Sequence, residues 1–156
     1  ISMKRNLLYS ILVSFLPVII VAVLGSIFVN IGMDWFDLLI KPSQWIPNIV
    51  IPIVWTVIYL LTSIVIFLWV RNGKMPKNVV VLFIINGVLN VLWCLLFFTL
   101  ELTFIGLIAI VINLIMGYLL LSEIRKENSL YYYMLVIYPI WLSIATALNL
   151  ALWILN

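Results

Sequence analysis

The chain has 156 residues, of which 67% are hydrophobic and only 8% charged, with no histidine, a single cysteine and a net charge of +3. A soluble core of this size cannot hide so much apolar surface, so a water-soluble domain is excluded. An intramolecular disulfide is excluded too, and the want of imidazole removes the commonest transition-metal ligand and axial haem ligand, so no metal site is expected.

About 20 apolar residues carry a helix across the hydrocarbon of a bilayer. Five runs without a charged residue reach or approach that length, over 7–31, 49–70, 79–100, 104–121 and 130–155. Lipid offers the backbone no outside partner, and the alternation of a barrel strand is absent, so the expected fold class is an all-α membrane protein, a five-helix transmembrane bundle forming one domain over 1–156. Ile1 and Ser2, ahead of Met3, are set aside as an expression remnant. The first run is too long for a signal peptide's apolar core and contains Pro17 and Gly25, which predicts a retained, kinked helix.

The basic residues set the orientation. Lys4 and Arg5 precede the first run, Arg71, Lys74 and Lys77 occupy the second loop, and Arg125 and Lys126 the fourth, whereas the opposite side has only Lys41. The positive-inside rule then puts the N-terminus in the cytoplasm and the C-terminus on the other side, in what is expected to be a bacterial cell membrane. The basic excess lies in short loops and gives no sign of nucleic-acid binding. The turn around Glu101 is short enough to force the third and fourth helices into an antiparallel hairpin.

Loop 32–48 is the longest. Its Asp34-Trp35-Phe36-Asp37 stretch and the following Lys41-Pro42-Ser43-Gln44-Trp45-Ile46-Pro47 predict a short amphipathic helix and a proline-stiffened lid, or equally an interfacial anchor with its aromatic rings at headgroup depth.

No Asp, Glu, Lys or Arg lies mid-span, which argues against a proton relay. The polar inventory there is Asn86, Asn90, Asn113 and Asn149 with a few hydroxyls. Asn86 and Asn90, four apart, share a helix face and suit hydrogen bonds between helices better than a ligand. Cys94, inside an apolar run, reads as a packing residue. On the last helix Ser143, Ala147 and Ala151 form a stripe of small residues that allows close approach within the bundle or across a dimer. Trp141 and Ala145 make either a slot for a flat ligand or tight packing. Trp55, Trp93, Trp141 and Trp153 fall inside spans, where each indole N–H needs an acceptor.

A resemblance adds to this. Gly25-Ser26, Trp35-Phe36, Lys41-Pro42-Ser43, Pro52-Ile53-Val54-Trp55-Thr56-Val57-Ile58-Tyr59, Leu89-Asn90-Val91-Leu92-Trp93 with Phe97-Phe98, Tyr138-Pro139-Ile140-Trp141 and Ala145-Thr146-Ala147-Leu148-Asn149 stand in order on the expected helices. Together they resemble the landmarks of the tryptophan-rich sensory protein/translocator protein family, which includes the mitochondrial peripheral benzodiazepine receptor. The resemblance implies a homodimer of five-helix bundles, and a pocket on the side of the first loop for protoporphyrin IX and other flat hydrophobic molecules. It implies a receptor or sensor, with light- and oxygen-dependent porphyrin breakdown as a further activity and transport of porphyrins or other lipophiles as the alternative. Carried over, the ligand-binding residues are Trp35, Phe36, Trp55, Asn90, Trp93, Trp141, Ala145 and Leu148, with Trp55 and Trp141 at the positions for chemistry on the ring. No cofactor is implied beyond the porphyrin ligand; the expected partners are that ligand, membrane lipid and a second copy of the chain. This sequence departs from the family pattern at Ile46, where a loop proline is expected; at Phe36, for a common Tyr; and at Ala109, for a common Asp. Leu150 and Ile154 stand where the animal members' cholesterol motif needs Tyr and Arg, which puts that recognition in doubt.

Overall fold

A computed structural model describes residues 2–156, with side chains from residue 7 onward. Ile1 therefore lies outside the described residues, as do the side chains of Ser2, Lys4 and Arg5.

The chain is helical almost throughout. In order the elements are α1 (Ser2–Ile31), α2 (Met33–Asp37), α3 (Val50–Asn72), α4 (Lys77–Cys94) with a closing π turn (Leu95–Thr99), α5 (Thr103–Glu127), α6 (Ser129–Leu135) and α7 (Ile137–Leu155). Among the described residues, five stretches are long and apolar enough to span a membrane: Leu7–Ile31, Val50–Asn72, Lys77–Thr99, Thr103–Glu127 and Ser129–Leu155. The chain is a multi-pass membrane protein. Around the bundle, α1 packs between α3 and α4, α4 against α5, and α5 against α7, while α6 and α7 close the ring on α3.

Three features differ from the sequence reading. The fourth helix continues six residues past 121, carrying Arg125 and Lys126 in its last turn; charged groups there reach water along their own stems and need not end the helix. Arg71 and Lys77 likewise belong to helix ends, leaving a shorter second loop. The fifth span lapses at Val136, between α6 and α7. Pro139 has no N–H for the carbonyl of Leu135, and Val136 keeps helical dihedrals, so the span loses a hydrogen bond while holding its course. Pro17, by contrast, sits inside an uninterrupted α1.

The α4–α5 hairpin turns at Glu101, whose positive φ of 59° is the left-handed conformation that reverses the chain within a few residues. The π turn before it is closed by Leu100 N–H to Leu95 O at 2.9 Å, and its extra residue brings the neighbours Phe97 and Phe98 both inward. Thr99 Oγ1 donates to the α1 carbonyl of Phe28 at 2.8 Å, which fixes the turn against the first helix.

Apolar packing forms two clusters. One joins Ile58, Val65, Trp69, Leu120, Ile124, Tyr131, Leu135, Tyr138 and Trp141 through the middle of the bundle and toward its basic end. The other gathers Phe36, Phe97, Phe98 and Leu152 beneath the first loop, with Trp35, Trp45 and Trp93 against them.

Candidate functional site

The aromatic cluster under the first loop is set by one close backbone approach. Gly32 ends α1 where its backbone meets that of Phe98 so closely that a Cβ would stand 1.9 Å from the Phe98 carbonyl oxygen. That contact sends α2 back over the bundle, with Phe36 pointing down and almost fully buried. The ring of Phe36 lies 5.3 Å from Phe98 and 6.0 Å from Trp45. Lys41 Nζ bonds the Phe36 carbonyl at 2.9 Å and sits 4.6 Å above its ring, so the lone cation of the lid holds the residue that plugs the site. Farther along, Ile40 N–H donates to Asn156 Oδ1 and Asn156 Nδ2 donates back to Ile40 O, both at 2.9 Å, clamping the loop to the end of α7.

Under this lid lies a cavity of about 50 Å³ lined by Phe36, Trp45, Ile51, Trp55, Trp93, Phe97, Phe98, Trp141, Ala145, Leu148, Asn149 and Leu152. Four indoles drawn from the lid, α3, α4 and α7 thus share one small space. Trp93 is oriented by its N–H, which donates to Asn149 Oδ1 at 2.9 Å, and Asn149 Nδ2 in turn donates to the carbonyl of Thr103 at 3.0 Å. Trp45 Nε1 donates to Asn48 at 3.2 Å, and Trp55 stacks on Tyr59 with ring centres 5.5 Å apart. Trp141 differs. It is 4% exposed, and its Nε1 is the buried side-chain polar atom left without a hydrogen-bond partner among the described residues.

Six of the eight residues expected to line a pocket do line this cavity: Phe36, Trp55, Trp93, Trp141, Ala145 and Leu148. Two do not. Trp35 lies on α2 beside Phe36 and packs edge-on against Phe97 at 5.7 Å, bracing the cluster from outside the cavity. Asn90 belongs to a polar knot in mid-bundle: its Nδ2 donates to the Tyr138 hydroxyl at 3.2 Å, its Oδ1 accepts from Asn113 at 2.8 Å, and Tyr138 donates to Asn86 Oδ1 at 2.8 Å. Asn86 also donates to the carbonyl of Met116 at 3.1 Å, so both α4 asparagines join helices, as their spacing suggested. Trp153, the other indole noted within a span, is exposed and packs at a tilt against Phe104, ring centres 4.9 Å apart.

Sequence reasoning missed Trp45, Ile51, Phe97, Phe98, Asn149 and Leu152 as lining residues. A signal existed for Asn149, which stands four residues after Ala145 on the same face of α7, and for Phe97, four after Trp93. Nothing local announced Trp45, which reaches the cavity only because the loop folds inward. Among the described residues no cluster of three Cys, Asp or Glu side chains could hold a metal ion.

A second cavity, of about 710 Å³, lies between α1, α3 and α4, toward the end of the bundle where the 71–77 stretch runs.

Comparison with known proteins follows the same lines. The model of the TspO/MBR family matches residues 13–154. The chain is 33% identical over 139 residues to the tryptophan-rich protein TspO of Chlorobaculum tepidum, covering 85% of this chain and 86% of the relative. It is 31% identical over 148 residues to the tryptophan-rich protein TspO of Archaeoglobus fulgidus, covering 92% and 94%, and 31% identical over 126 residues to protein CrtK of Rhodobacter capsulatus, covering 78% of each.

Proposed function

The chain belongs to the TspO/MBR family of membrane receptor and sensor proteins, and from that premise we propose that it binds a porphyrin, or a similar flat hydrophobic molecule, in the indole-lined cavity beneath the first loop. The observation that carries this reading is Trp141: a desolvated N–H without an acceptor costs about 1–3 kcal/mol, and a ligand carbonyl or ring nitrogen would remove that cost. Trp55, Trp93 and Trp45 supply faces for a flat ring system to stack on, and Ala145 leaves room beside Trp141.

A cavity of about 50 Å³ is far below the roughly 300–1,000 Å³ that ligand pockets occupy. The bound state therefore requires Phe36 and Trp45 to withdraw with the lid, and the space they vacate becomes part of the site. Trp55 and Trp141, both on the cavity wall, are the electron-rich rings that would meet a photo-excited porphyrin and dioxygen if breakdown accompanies binding. The chain is further proposed to work as a homodimer, as the resemblance implies.

Titration of the purified protein with protoporphyrin IX, followed by tryptophan fluorescence, tests the site. Saturable quenching is expected, and unchanged emission at saturating ligand overturns an indole-lined pocket. Loss of the porphyrin absorbance band under light, compared between the wild type and Trp55→Phe and Trp141→Phe, separates breakdown from binding.

A further inference from the structure

The second cavity is a different kind of site. Its walls are apolar, built from Val13, Pro17 and Val21 of α1, Ile66 of α3, and Phe83 and Ile84 of α4. Val80, Ile84 and Val88, which also line it, are exposed on the outside of the bundle, so the space opens sideways toward lipid rather than into the indole cluster. Along α4 it extends from Val80 to Asn90, ten residues or about 15 Å, which is half of a roughly 30 Å hydrocarbon core and so the depth of one leaflet.

Polarity is distributed unevenly within it. At the inner end the side chains of Asn86, Asn90 and Tyr138 are engaged with one another or with helix carbonyls, and none is among the orphaned buried atoms. Thr62 likewise bonds its own helix at Ile58 O, which leaves the Tyr59 hydroxyl as the polar group of the interior open to a ligand, on walls that are otherwise apolar. At the outer end the lining includes Lys74, with the Tyr9 ring beside the same opening. The stretch from Arg71 to Lys77 holds three cations and no acid. Among the described residues the ion pair formed is Lys126 with Glu123, whose other oxygen takes Asn78, so no carboxylate neutralises Lys74.

We propose that this cavity is a binding site for an anionic phospholipid, one acyl chain lying between α1, α3 and α4 and the phosphate held at Lys74. An apolar slot one leaflet deep, open laterally and with its charge confined to the mouth, matches an amphiphile with an acidic head; basic pockets between membrane helices recognise lipid headgroups in this way. The site is separate from the indole cavity and stands whether or not that cavity takes a porphyrin.

Native mass spectrometry of the detergent-solubilised full chain, offered equal amounts of phosphatidylglycerol and phosphatidylcholine of the same acyl composition, tests it. Phosphatidylglycerol is expected to be retained about fivefold over phosphatidylcholine, the factor one lysine near a lipid phosphate supplies. Lys74→Glu should abolish the preference while a neutral lipid still enters, and Ile84→Trp, which fills the mouth from an exposed position, should abolish retention of both. Leu119→Trp, an exposed α5 position outside the cavity, controls for an added indole, and each variant's thermal unfolding confirms that it is folded. Equal retention of the two lipids, a preference that survives Lys74→Glu, retention that survives Ile84→Trp, or uptake of free oleate in place of phospholipid overturns the proposal.

Discussion

Among the described residues, the buried side-chain polar atoms are satisfied within the protein except for Nε1 of Trp141. Trp93 donates to Asn149, which donates on to the Thr103 carbonyl, and the Asn86, Asn90, Asn113 and Tyr138 side chains bond one another, with Asn86 also reaching the Met116 carbonyl. Replacing Tyr138 by Phe strips that knot of the hydroxyl on which three amides converge, and a loss of about 1–3 kcal/mol is expected, read as a lower thermal midpoint in detergent. Trp141→Phe should behave in the opposite way. The substitution removes an orphaned donor and keeps an aromatic ring, so stability is expected to hold or rise slightly, while protoporphyrin IX affinity falls about five- to tenfold if the N–H meets the ligand. A fall in stability with unaltered affinity would assign Trp141 to packing alone. Which asparagine would pair with which neighbour could not be read from the chain. Spacing put Asn86 and Asn90 on one face, but their partners lie 23 to 52 residues away in sequence.

At the scale of elements, the first loop and the π turn enclose the indole cavity, through Phe36 and Trp45 on one side and Phe97 and Phe98 on the other. Gly32→Ala places a Cβ against backbone that has no freedom to yield, so α2 must shift off the Phe98 carbonyl and the aromatic cluster loosens with it. A clear drop in thermal midpoint is expected for Gly32→Ala, whereas Gly73→Ala, with nothing within 4 Å of the new Cβ, should leave it unchanged. The clamp between Ile40 and Asn156 is exposed, and losing its two hydrogen bonds should cost about 1 kcal/mol of closure rather than of folding. Asn156→Ala is thus expected to speed proteolysis within 38–48 and the association of porphyrin while leaving the melting curve nearly unaltered. The alternation of acids with bulky apolar groups before two prolines predicted a short amphipathic helix, found at Met33–Asp37, and left a lid and an interfacial anchor both open for the stretch after it. It did not foretell that Trp45 would turn inward, since the same ring pattern serves an interfacial belt.

For the whole molecule, the five spans fix which surfaces share an end. The lid, the π turn and the ends of α1 and α7 lie together, and the 71–77 loop lies at the opposite end with the α5–α6 junction. The charge pattern predicts that the basic end faces the cytoplasm, which membrane-impermeant thiol labelling of intact cells tests: Ser43→Cys should react and Lys74→Cys should not, and the reverse outcome would overturn that orientation. The length of each apolar run, the absence of mid-span charge and the order of the aromatic landmarks were sufficient to set a five-helix membrane bundle, because a lipid solvent leaves so few ways to satisfy a backbone. Only tertiary structure decided the rest. Whether an interior indole lines a void, braces a neighbour or faces lipid depends on how helices rotate against one another, and that rotation is set by contacts such as Gly32 on Phe98 and Asn149 on Trp93 that join distant parts of the chain. Periodicity reports which residues share a face; it carries no record of what that face will meet.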